Sequence, residues 1–332
     1  MQLDRTWLDF RVDERGVPAC GRRAELDVLA RAGYADPSAG RLFEGHVNAL
    51  ELIGRVGDAS QLATSARDAA AGRLFGVWNT QDAEGVHVER TSRGLRLRGR
   101  KTFGSGAGTV ARALITGAWP DGRSQLLVVP MDEAAAEIDR FSWRPMGMER
   151  SDSFSVRFDG IVLDDGAAIG PPAAYEAAPW FLAGAIRFVA VQIGTLGRIR
   201  DETYAYLEGA GRERDPFQQA RIGAIASEVA TLENWFPSAA AAWDAFDANP
   251  GADEAEAVSA VADLARVATE RGAFAIMEAA QRAVGARGLL EPLPLGRLVR
   301  DLSMYLRQPA PDAALVRIAE RASRAARRIA AG

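Results

Sequence analysis

The sequence is poor in the residues that build disulfides and metal sites. Its 332 residues include one cysteine, Cys20, and two histidines, His46 and His87. A single cysteine cannot form an internal disulfide, and the two residue types together are too few for a cysteine-based or histidine-rich metal cage. We therefore expect neither a bound metal nor metal catalysis.

The chain also lacks an excess of charge of one sign. It has 40 basic and 44 acidic residues, which gives a net charge of -4, and the two signs are interspersed. This balance argues against nucleic acid or a membrane surface as the main partner. No stretch reaches the roughly 18 apolar residues of a membrane span, and the first residues lack the apolar core of a secretion signal. The sequence predicts a cytoplasmic protein that acts on a small molecule.

Hydrophobic periodicity divides the chain into three regions. Apolar residues recur at helical spacing from about residue 20 to residue 72, short alternating runs follow to about residue 170, and helical spacing then returns. We predict a shortened N-terminal helical domain at 1–72, a middle β-domain at 73–170 and a C-terminal helical domain at 171–332. The predicted fold class is α+β, with an antiparallel β-barrel or sandwich in the middle and a four-helix bundle at the C-terminus.

The pattern also predicts individual elements. The last helix carries a basic face of Arg317, Arg321, Arg324 and Arg328, which we expect to face solvent. The predicted strands are 74–78, 86–90, 95–100, 111–117, 125–129, 154–158 and 161–163, and the predicted helices of the C-terminal region are 176–210, 216–247, 254–285, 296–306 and 311–330.

One loop between two predicted strands is rich in glycine and hydroxyl side chains. It runs through residues 99–107 and contains the only lysine of the chain, Lys101, followed by Phe103. Glycines let backbone approach a flat ligand, and the loop supplies N–H and O–H donors there. The plainer alternative is a β-hairpin turn made of ordinary turn residues. Lys101 itself is expected to close the strand or to pair with a nearby acid.

Several stretches resemble elements of the acyl-CoA dehydrogenase superfamily of flavoproteins, which has the same order of domains. Residues 75–81 resemble its first middle-domain strand, and residues 94–107 resemble its Gly-x-Lys-x-Trp-Ile-Thr-Asn-Gly strand and loop. Residues 146–160 resemble its late middle-domain strands. Residues 281–288 and 300–301 resemble its C-terminal Gln-x-x-Gly-Gly-x-Gly and Arg-Asp elements. The resemblance covers about residues 73–305.

The resemblance implies an FAD cofactor. In the family this loop flanks the isoalloxazine ring, which implies Phe103 for stacking, Gly104 and Ser105 for donors near the flavin N5 and O4, and Trp78 and Thr80 on the neighbouring strand. Donors around the ring set its electron affinity. The alternative for Trp78 and Phe103 is that they are core aromatics of a sandwich.

The resemblance also implies contacts to the pyrophosphate, which needs cations or helix N-termini. Arg212 or Arg214 corresponds to an arginine of the family, although this chain lacks the Phe-Gly step of that motif, and both arginines could instead form a solvated helix end. Gln281 and Gly285 correspond to residues that commonly act across a subunit interface. We therefore expect a homodimer or homotetramer.

The carboxylate that removes the substrate α-proton in the family is missing from its usual place. Counted from residues 300–301, the position of that glutamate is occupied by Pro309, which cannot accept a proton. The alternative position in the family lies on the first bundle helix, and residues 183–197 contain no Asp or Glu. A base would have to come from another position, such as Glu149 or Asp312.

Three hypotheses follow from these observations. The first is an FAD-dependent oxidoreductase that acts on the CH–CH group of an acyl-CoA or acyl-carrier thioester, for which the resemblance suggests an electron-transfer flavoprotein as partner. The second is a flavin-dependent monooxygenase on the same fold, which activates O2 and does not need the glutamate. The third is a non-catalytic protein that retains the fold.

Overall fold

The computed structural model describes residues 10–308 and 310–331 of the chain. The described residues form two compact units. The first, here called the β unit, contains the residues up to Glu25 together with Arg41–Pro145 and Glu149–Trp180. The second, the helical unit, contains Leu26–Gly40, Met146–Met148 and the residues from Phe181 onward. The division into three domains at residues 72 and 170 stays a prediction.

The strands of the β unit form one sheet. In its described residues the order is β6-β7-β3-β2-β4-β5-β9, with β1 paired to β4 and β8 paired to β3. All seven predicted strands are present, whereas the short strands β6 and β9 were not predicted. The strands are β1 (Phe75–Trp78), β2 (Val86–Thr91), β3 (Gly94–Gly104), β4 (Arg112–Ala118), β5 (Ser124–Pro130), β6 (Glu137–Asp139), β7 (Phe154–Arg157), β8 (Val162–Leu163) and β9 (Ala168–Ile169).

The sheet is mixed, although most of its pairs are antiparallel as predicted. Strand β1 runs parallel to β4 in the register Phe75↔Arg112 to Trp78↔Ile115. All four residues of β1 are buried, as are the first six of β4. Burial on both faces is typical of strands with parallel neighbours, and such strands read as continuous apolar runs. The alternation that predicts a strand gives no information about the direction of its partner.

Three helices lie within the first 72 residues: α1 (Arg22–Ala35), α2 (Pro37–Val56) and α3 (Ala59–Ala70). Helix α3 begins with a capping box, in which the Asp58 side chain accepts from the Gln61 N–H while the Gln61 side chain accepts from the Asp58 N–H. This arrangement satisfies two of the free donors of a helix start. Gln61 also donates to the carbonyls of Gly166 and Ala168, which ties α3 to the segment before β9.

A histidine joins α2 to β1 in the β unit. His46 is fully buried, and its Nδ1 accepts a hydrogen bond of 3.1 Å from the Phe75 N–H. The ring lies between Phe43 and Phe75, with centroid distances of 6.5 and 5.8 Å. Burial lowers the pKa of His46 from 6.5 to about 4, because the charged imidazolium loses its hydration in this apolar position.

We expect His46 to make the protein sensitive to acid. The unfolded chain takes up a proton at pH 6.5, whereas the folded chain does so only near pH 4, so the free energy of unfolding falls as the pH drops through this window. Across this window the free energy of unfolding falls by about 3 kcal/mol.

His46→Asn keeps an acceptor for the Phe75 N–H and does not titrate, and it should remove this part of the pH dependence. The exposed His87→Asn is the matched control. Urea unfolding between pH 4 and 7 measures the effect, and an unchanged profile in His46→Asn would contradict it.

The helical unit is centred on one long helix, α8, which contacts four others: α5, α6, α7 and α10. The helices of this region are α4 (Trp180–Ala183), α5 (Ala185–Gly209), α6 (Pro216–Glu233), α7 (Trp235–Ala248), α8 (Ala252–Val284), α9 (Leu295–Tyr305) and α10 (Pro311–Ala331).

The predicted helix 216–247 is two helices, α6 and α7, which meet at Asn234. Pro237 explains the break, since it has no N–H to donate to the carbonyl of Glu233 and its ring clashes with that carbonyl in a continuous helix. Proline is tolerated in the first turn of a new helix, where α7 places it. The remaining predicted helices of this region agree with the structure, apart from a break after Ala183 that separates α4 from α5.

Contrary to the expectation that no stretch has the length of a membrane span, one helical stretch of the described residues, Trp180–Gly209, is long and apolar enough to cross a membrane by length and composition. Its most apolar 18-residue window is 72% buried inside the protein. Such burial is typical of the core helix of a soluble protein, because a membrane span would present this surface to lipid. The cytoplasmic location stays a prediction.

Three of the four α10 arginines that were expected to face solvent bind acidic side chains of α8. Arg317 donates to both carboxylate oxygens of Asp263 on α8, at 2.9 and 2.6 Å, and Arg321 donates to the same carboxylate at 2.6 Å. Asp263 is buried, so these contacts neutralise a charge that would otherwise be costly. Arg321 and Arg324 also bind Glu256. The charges of α10 therefore fasten this helix to α8.

Helices α1 and α5 cross at two glycines within the helical unit. A Cβ built on Gly194 would lie 1.8 Å from the Ala30 carbonyl oxygen, and one built on Gly33 would lie 2.0 Å from the Val191 carbonyl oxygen. The Thr195 hydroxyl donates to the Gly33 carbonyl at 3.0 Å and so bridges the two helices. The two backbones can approach this closely only because both positions lack a side chain.

Candidate functional site

The glycine-rich segment 99–107, predicted as a loop, lies mostly in the second half of β3, which has a bulge between Lys101 and Gly104, and it presents one aromatic ring to solvent. Phe103 has φ of 54°, a left-handed conformation that is uncommon outside glycine, and 39% of its surface is exposed. Its ring contacts the edge of Trp143, with a centroid distance of 5.7 Å and an interplanar angle of 79°. At Gly104 a Cβ would lie 3.1 Å from the Phe154 carbonyl oxygen and 3.3 Å from the Trp78 ring. The Phe154 backbone and the Trp78 ring therefore leave little room for a side chain at Gly104.

Trp78 and Thr80, on and after β1, flank this loop. Trp78 is 1% exposed, and its indole Nε1 donates to the Ser105 carbonyl at 2.9 Å. Thr80 is exposed, and its carbonyl accepts from the Thr102 N–H at 3.1 Å. The indole thus holds the segment on its buried side, whereas Thr80 lies exposed to solvent.

Three buried serines support the loop from a second side. The Ser105 and Ser153 hydroxyl oxygens are 3.0 Å apart, and those of Ser153 and Ser151 are 2.8 Å apart. The backbone adds two further ties, from the Gly106 N–H to the Ser151 carbonyl at 2.7 Å and from the Ala107 N–H to the Asp152 carbonyl at 3.3 Å. Ser151 and Ser153 lie in the 146–160 motif but were not predicted as site residues, because a sequence does not show which hydroxyls face one another.

Lys101 is fully buried in β3 and binds neutral oxygens. Its Nζ donates to Gln81 Oε1 at 2.5 Å, to Thr116 Oγ1 at 2.8 Å and to the Asn79 carbonyl at 3.3 Å. In the part of the chain that the structure describes, no carboxylate accepts from this ammonium, so the predicted pairing with an acid is wrong. Burial lowers its pKa from 10.5 to about 8, and the more distant charge of Glu176 opposes this shift.

Because its pKa is lowered, Lys101 should contribute a free energy of unfolding that rises between pH 8 and 10.5. In this window the unfolded chain binds a proton at Lys101 and the folded chain releases it, so higher pH favours the folded state by up to about 3 kcal/mol. No other lysine contributes, since Lys101 is the only one. Wild type should therefore gain stability relative to Lys101→Met as the pH rises, which paired urea titrations measure. A difference between the two proteins that does not change with pH would contradict this.

The remaining predicted cofactor residues lie in the helical unit. Arg212 is exposed in the turn before α6, whose N-terminus is capped by Asp215. Gln281 is half-buried near the end of α8, where its side chain donates to the Met277 carbonyl at 3.0 Å, and Gly285 ends this helix with φ of 65°. Arg214, the alternative to Arg212, is also exposed and borders a cavity of about 570 Å³ with Tyr204 and Glu213.

The Arg-Asp element has a clear structural role in the helical unit. The Asp301 carboxylate accepts from the Met148 N–H at 2.6 Å and from Arg297 at 2.9 Å. A Cβ at Gly147 would lie 2.2 Å from the Arg300 carbonyl oxygen, so only glycine fits there. Burial raises the pKa of Asp301, while the Met148 N–H and Arg297 oppose that rise. Asp301 therefore anchors residues 146–148 against α9.

The position expected for the catalytic glutamate, Pro309, lies outside the described residues. Of the two alternative bases, Glu149 is exposed in a short 3-10 turn and Asp312 is exposed in the first turn of α10. Among the described residues, no group of three His, Cys, Asp or Glu side chains is arranged to hold a metal ion.

The β unit also contains a cavity of about 570 Å³, and no residue of the loop lines it. Its walls come from α3, from β4 and β5, and from the segment around β8 and β9, and none of the predicted cofactor residues lines it. A narrow crevice beside the loop does include Trp78 and Ser105, together with Arg41 and Gly45 of α2 and Gly76 of β1.

The surface around Phe103 is suited to a flat, polar-edged ring. It combines the exposed ring of Phe103 with the exposed Thr80, while Gly104, Ser105 and Gly106, which follow Phe103 in the chain, are buried. A heteroaromatic ring with nitrogen and carbonyl acceptors on its edge matches this donor set. The ammonium of Lys101 is not part of this surface, because that side chain is buried.

Comparisons with known proteins identify the fold. No protein-family model and no curated protein matches the chain. Solved structures do: FMN-bound TdsC from Paenibacillus sp. A11-2, a protein described as a dibenzothiophene monooxygenase, is 19% identical, with 90% of this chain and 83% of that chain covered and a TM-score of 0.82.

Two further solved structures match the chain to a similar extent. The methanesulfinate monooxygenase MsuC from Pseudomonas fluorescens is 19% identical over 96% of this chain and 88% of its own, with a TM-score of 0.84. A nitrososynthase from Micromonospora carbonacea var. africana is 19% identical over 95% and 86%, with a TM-score of 0.79. At these identities the likeness establishes the fold alone. The chain has the α+β acyl-CoA dehydrogenase-like fold that its sequence predicts.

Proposed function

We propose that this protein is a flavin-dependent monooxygenase that uses FMN and oxidises a sulfur or nitrogen atom of a small organic molecule. The observation that carries the proposal is the likeness, over at least 90% of the chain, to TdsC with bound FMN, to MsuC and to a nitrososynthase. Two of these proteins are monooxygenases of sulfur compounds, dibenzothiophene and methanesulfinate, and the third is a nitrososynthase. The monooxygenase hypothesis is thereby better supported than thioester dehydrogenation.

The residues of the β unit fit a flavin ring. Phe103 offers its exposed face for stacking, and the Gly104 backbone lets a flat ring come close. The hydroxyl of the exposed Thr80 is a neutral donor, as the nitrogen and carbonyl atoms on a flavin edge require, and the buried Ser105 is our candidate for a second donor. Trp78 acts behind them by fixing the Ser105 carbonyl. The ring end of the flavin is therefore assigned to this loop.

The phosphate end of the flavin needs cations. Arg212 is our first candidate, because it is exposed near the start of α6, and Gln281 and Gly285 remain the candidates for further contacts. FMN carries one phosphate where FAD carries a pyrophosphate and an adenosine, so FMN requires fewer of these contacts. We propose FMN in place of the FAD that the sequence resemblance implies, and a homodimer or homotetramer as the active assembly.

When bound in its reduced form, the flavin supplies the electrons that activate O2. The chain itself has to bind and orient the ring, to which Phe103 and the neighbouring Trp143 would present an apolar surface. No residue has to remove an α-proton, so Pro309 at the position of the family glutamate is compatible with this chemistry. A partner that reduces flavin is required, whereas an electron-transfer flavoprotein that accepts electrons is not.

Oxygen-transfer assays test the proposal. Purified protein with chemically reduced FMN, mixed with air and with dibenzothiophene, methanesulfinate or an amino sugar nucleotide, should yield a product that contains one atom of oxygen from labelled O2. The same protein, loaded with oxidised flavin and mixed anaerobically with acyl-CoAs of several lengths, should stay yellow. Bleaching by an acyl-CoA would support the dehydrogenase hypothesis instead, and failure to bind any flavin would support the non-catalytic one.

A further inference from the structure

Residues 140–143, which follow β6 in the β unit, contact the glycine-rich segment and the residue directly after it. The Trp143 ring contacts the Phe103 ring, with a centroid distance of 5.7 Å. Three residues earlier in the chain, the Arg140 guanidinium lies beside Gly108, where a Cβ would be 3.2 Å from its Nη1 and 3.5 Å from its Nη2. One short stretch therefore places an aromatic ring at Phe103 and a positive charge at Gly108.

Hydrogen bonds hold this stretch in place. The Ser142 hydroxyl donates to the Asp139 carbonyl at 2.6 Å and accepts from the Ser155 N–H of β7 at 2.8 Å. The Asp139 carboxylate accepts from the Phe141 N–H at 3.0 Å. The backbone that carries Arg140 is therefore anchored to the sheet on both sides of this residue.

The Arg140 guanidinium packs on an aromatic ring and keeps its donors available. Its central carbon is 5.6 Å from the centroid of the Phe154 ring, a cation–π contact. Phe154 pairs with Gly104 of β3, so this contact brings the charge close to the glycine-rich segment. Arg140 is exposed, and it forms no ion pair with a carboxylate of the described residues. Stacking on a ring uses none of the five N–H donors of a guanidinium, which can therefore bind an anion from solvent.

The backbone beside Arg140 supplies a second donor. Gly108 is exposed, and its N–H donates to no acceptor within the part of the chain that the structure describes. By contrast, the N–H groups of Gly106 and Ala107 bind carbonyls of the β unit. A guanidinium next to a free backbone N–H is a donor set that suits an oxyanion such as a phosphate, a carboxylate or a sulfinate.

We propose that Arg140, together with the Gly108 N–H, binds the anionic group of the ligand whose ring lies on Phe103. This inference rests on the proposed function, which assigns a flavin to that surface. Two molecules of the proposed reaction can supply the anion: FMN through its phosphate, or the substrate through an acidic group. Both present the same oxyanion chemistry to the same donors.

The segment is compact enough for one elongated ligand to reach both positions. The Ala107 N–H donates to the Gly104 carbonyl at 3.0 Å, which closes a turn between them. The Cα atoms of Phe103 and Gly108 are therefore at most about 15 Å apart. FMN has an extended shape of this kind, because a ribityl chain separates its phosphate from its ring.

Binding of FMN and of riboflavin tests the cofactor as the source of the anion. Riboflavin has the same ring as FMN and lacks the phosphate. If Arg140 binds the phosphate, Arg140→Gln should weaken FMN about 3- to 30-fold and leave riboflavin unchanged, as expected for a charge-assisted hydrogen bond at an exposed position. Unchanged riboflavin binding also shows that the ring site is intact, and thermal melting checks the fold.

Steady-state kinetics test the substrate as the source. Methanesulfinate is an anion and dibenzothiophene is neutral. If Arg140 binds an acidic group of the substrate, Arg140→Gln should raise KM for methanesulfinate about 3- to 30-fold with kcat unchanged, and should not change KM for dibenzothiophene. The dissociation constant of FMN then equals that of wild type.

Arg144→Gln is the matched control for both measurements. It removes the same charge from an exposed arginine four residues further along, whose guanidinium lies 5.9 Å from the centroid of the Phe141 ring. It should bind and turn over every probe as wild type does. A loss that is selective for FMN or for methanesulfinate in Arg140→Gln supports the anion subsite and identifies its ligand.

The two proposals fail in different ways. If wild type binds neither FMN nor riboflavin, the proposed function fails and the anion subsite fails with it. If wild type binds FMN, and Arg140→Gln matches Arg144→Gln with FMN, riboflavin and both substrates, only the anion subsite is overturned. An equal loss of FMN and riboflavin in Arg140→Gln also overturns it, because the residue then acts on the ring or on the fold.

Discussion

The Gly194→Ala variant is expected to lose about 3 kcal/mol or more of unfolding free energy. The added methyl carbon would lie 1.8 Å from the Ala30 carbonyl oxygen and 2.6 Å from its carbon. Backbone atoms cannot swing aside as a long side chain can, so α1 and α5 must move apart. That movement also stretches the hydrogen bond from Thr195 to the Gly33 carbonyl. The gain in helix propensity on replacing glycine, about 1 kcal/mol, does not offset this cost.

Gly223→Ala is the matched control for this substitution. Gly223 lies in the interior of α6, is exposed, and has no atom within 4 Å of the position of its Cβ. Alanine should therefore stabilise the protein there by about 0.5 to 1 kcal/mol through helix propensity. Urea unfolding of both variants decides between the two effects. Equal and small changes at the two positions would show that the α1 and α5 backbones are not in close contact.

Replacing Phe103 by glycine is expected to separate stability from flavin binding. A phenylalanine at φ of 54° is strained by roughly 1 to 2 kcal/mol, and glycine removes that strain. The variant also loses the edge contact with Trp143, which is worth about 0.5 to 1.5 kcal/mol. The fold should therefore be as stable as wild type, or nearly so. Flavin affinity should nevertheless drop about tenfold or more, because the exposed ring that stacks on the flavin is gone.

The control for Phe103→Gly is Phe141→Ala, which removes another exposed aromatic ring of the β unit. Phe141 is 79% exposed and precedes Trp143 by two residues, outside the loop. Its removal should leave the dissociation constant of FMN unchanged. Equal flavin affinity in wild type and Phe103→Gly would mean that the strained backbone at Phe103 has another cause. A large loss of stability in Phe103→Gly would mean that the ring is a structural residue of the sandwich.

Much of the fold could be predicted from the sequence, because the spacing of apolar residues indicates which positions are buried. The strands of the β unit and the long helices of the helical unit were predicted within a few residues of their observed bounds. The break at Asn234 was also open to prediction, since Pro237 prevents a continuous helix. The parallel pairing of β1 with β4 was not, because both strands are buried on both faces and their sequences carry no sign of direction.

The site was predicted less completely. The resemblance located the loop at Phe103, Gly104 and Ser105, and the structure places Trp78 and Thr80 beside it. The pairing of Lys101 with an acid and the solvent-facing role of Arg317 and Arg321 were wrong, because a charge in a sequence does not show whether its partner is an acid, a neutral oxygen or water. Arg324 and Arg328 are exposed as expected. Lys101 binds three neutral oxygens, and Arg317 binds a buried aspartate on another helix. Long-range partners of this kind depend on the tertiary fold.

A titration of the purified chain with FMN, oxidised and chemically reduced, decides whether the β unit carries a flavin site. Absorbance and fluorescence follow the oxidised form, and competition with it follows the reduced form. We expect saturable binding of one FMN per chain with a perturbed flavin spectrum, weakened about tenfold in Phe103→Gly and unchanged in Phe141→Ala. A folded protein that binds neither form of FMN, nor FAD, at concentrations up to about 1 mM would contradict the flavin site and the monooxygenase function built on it.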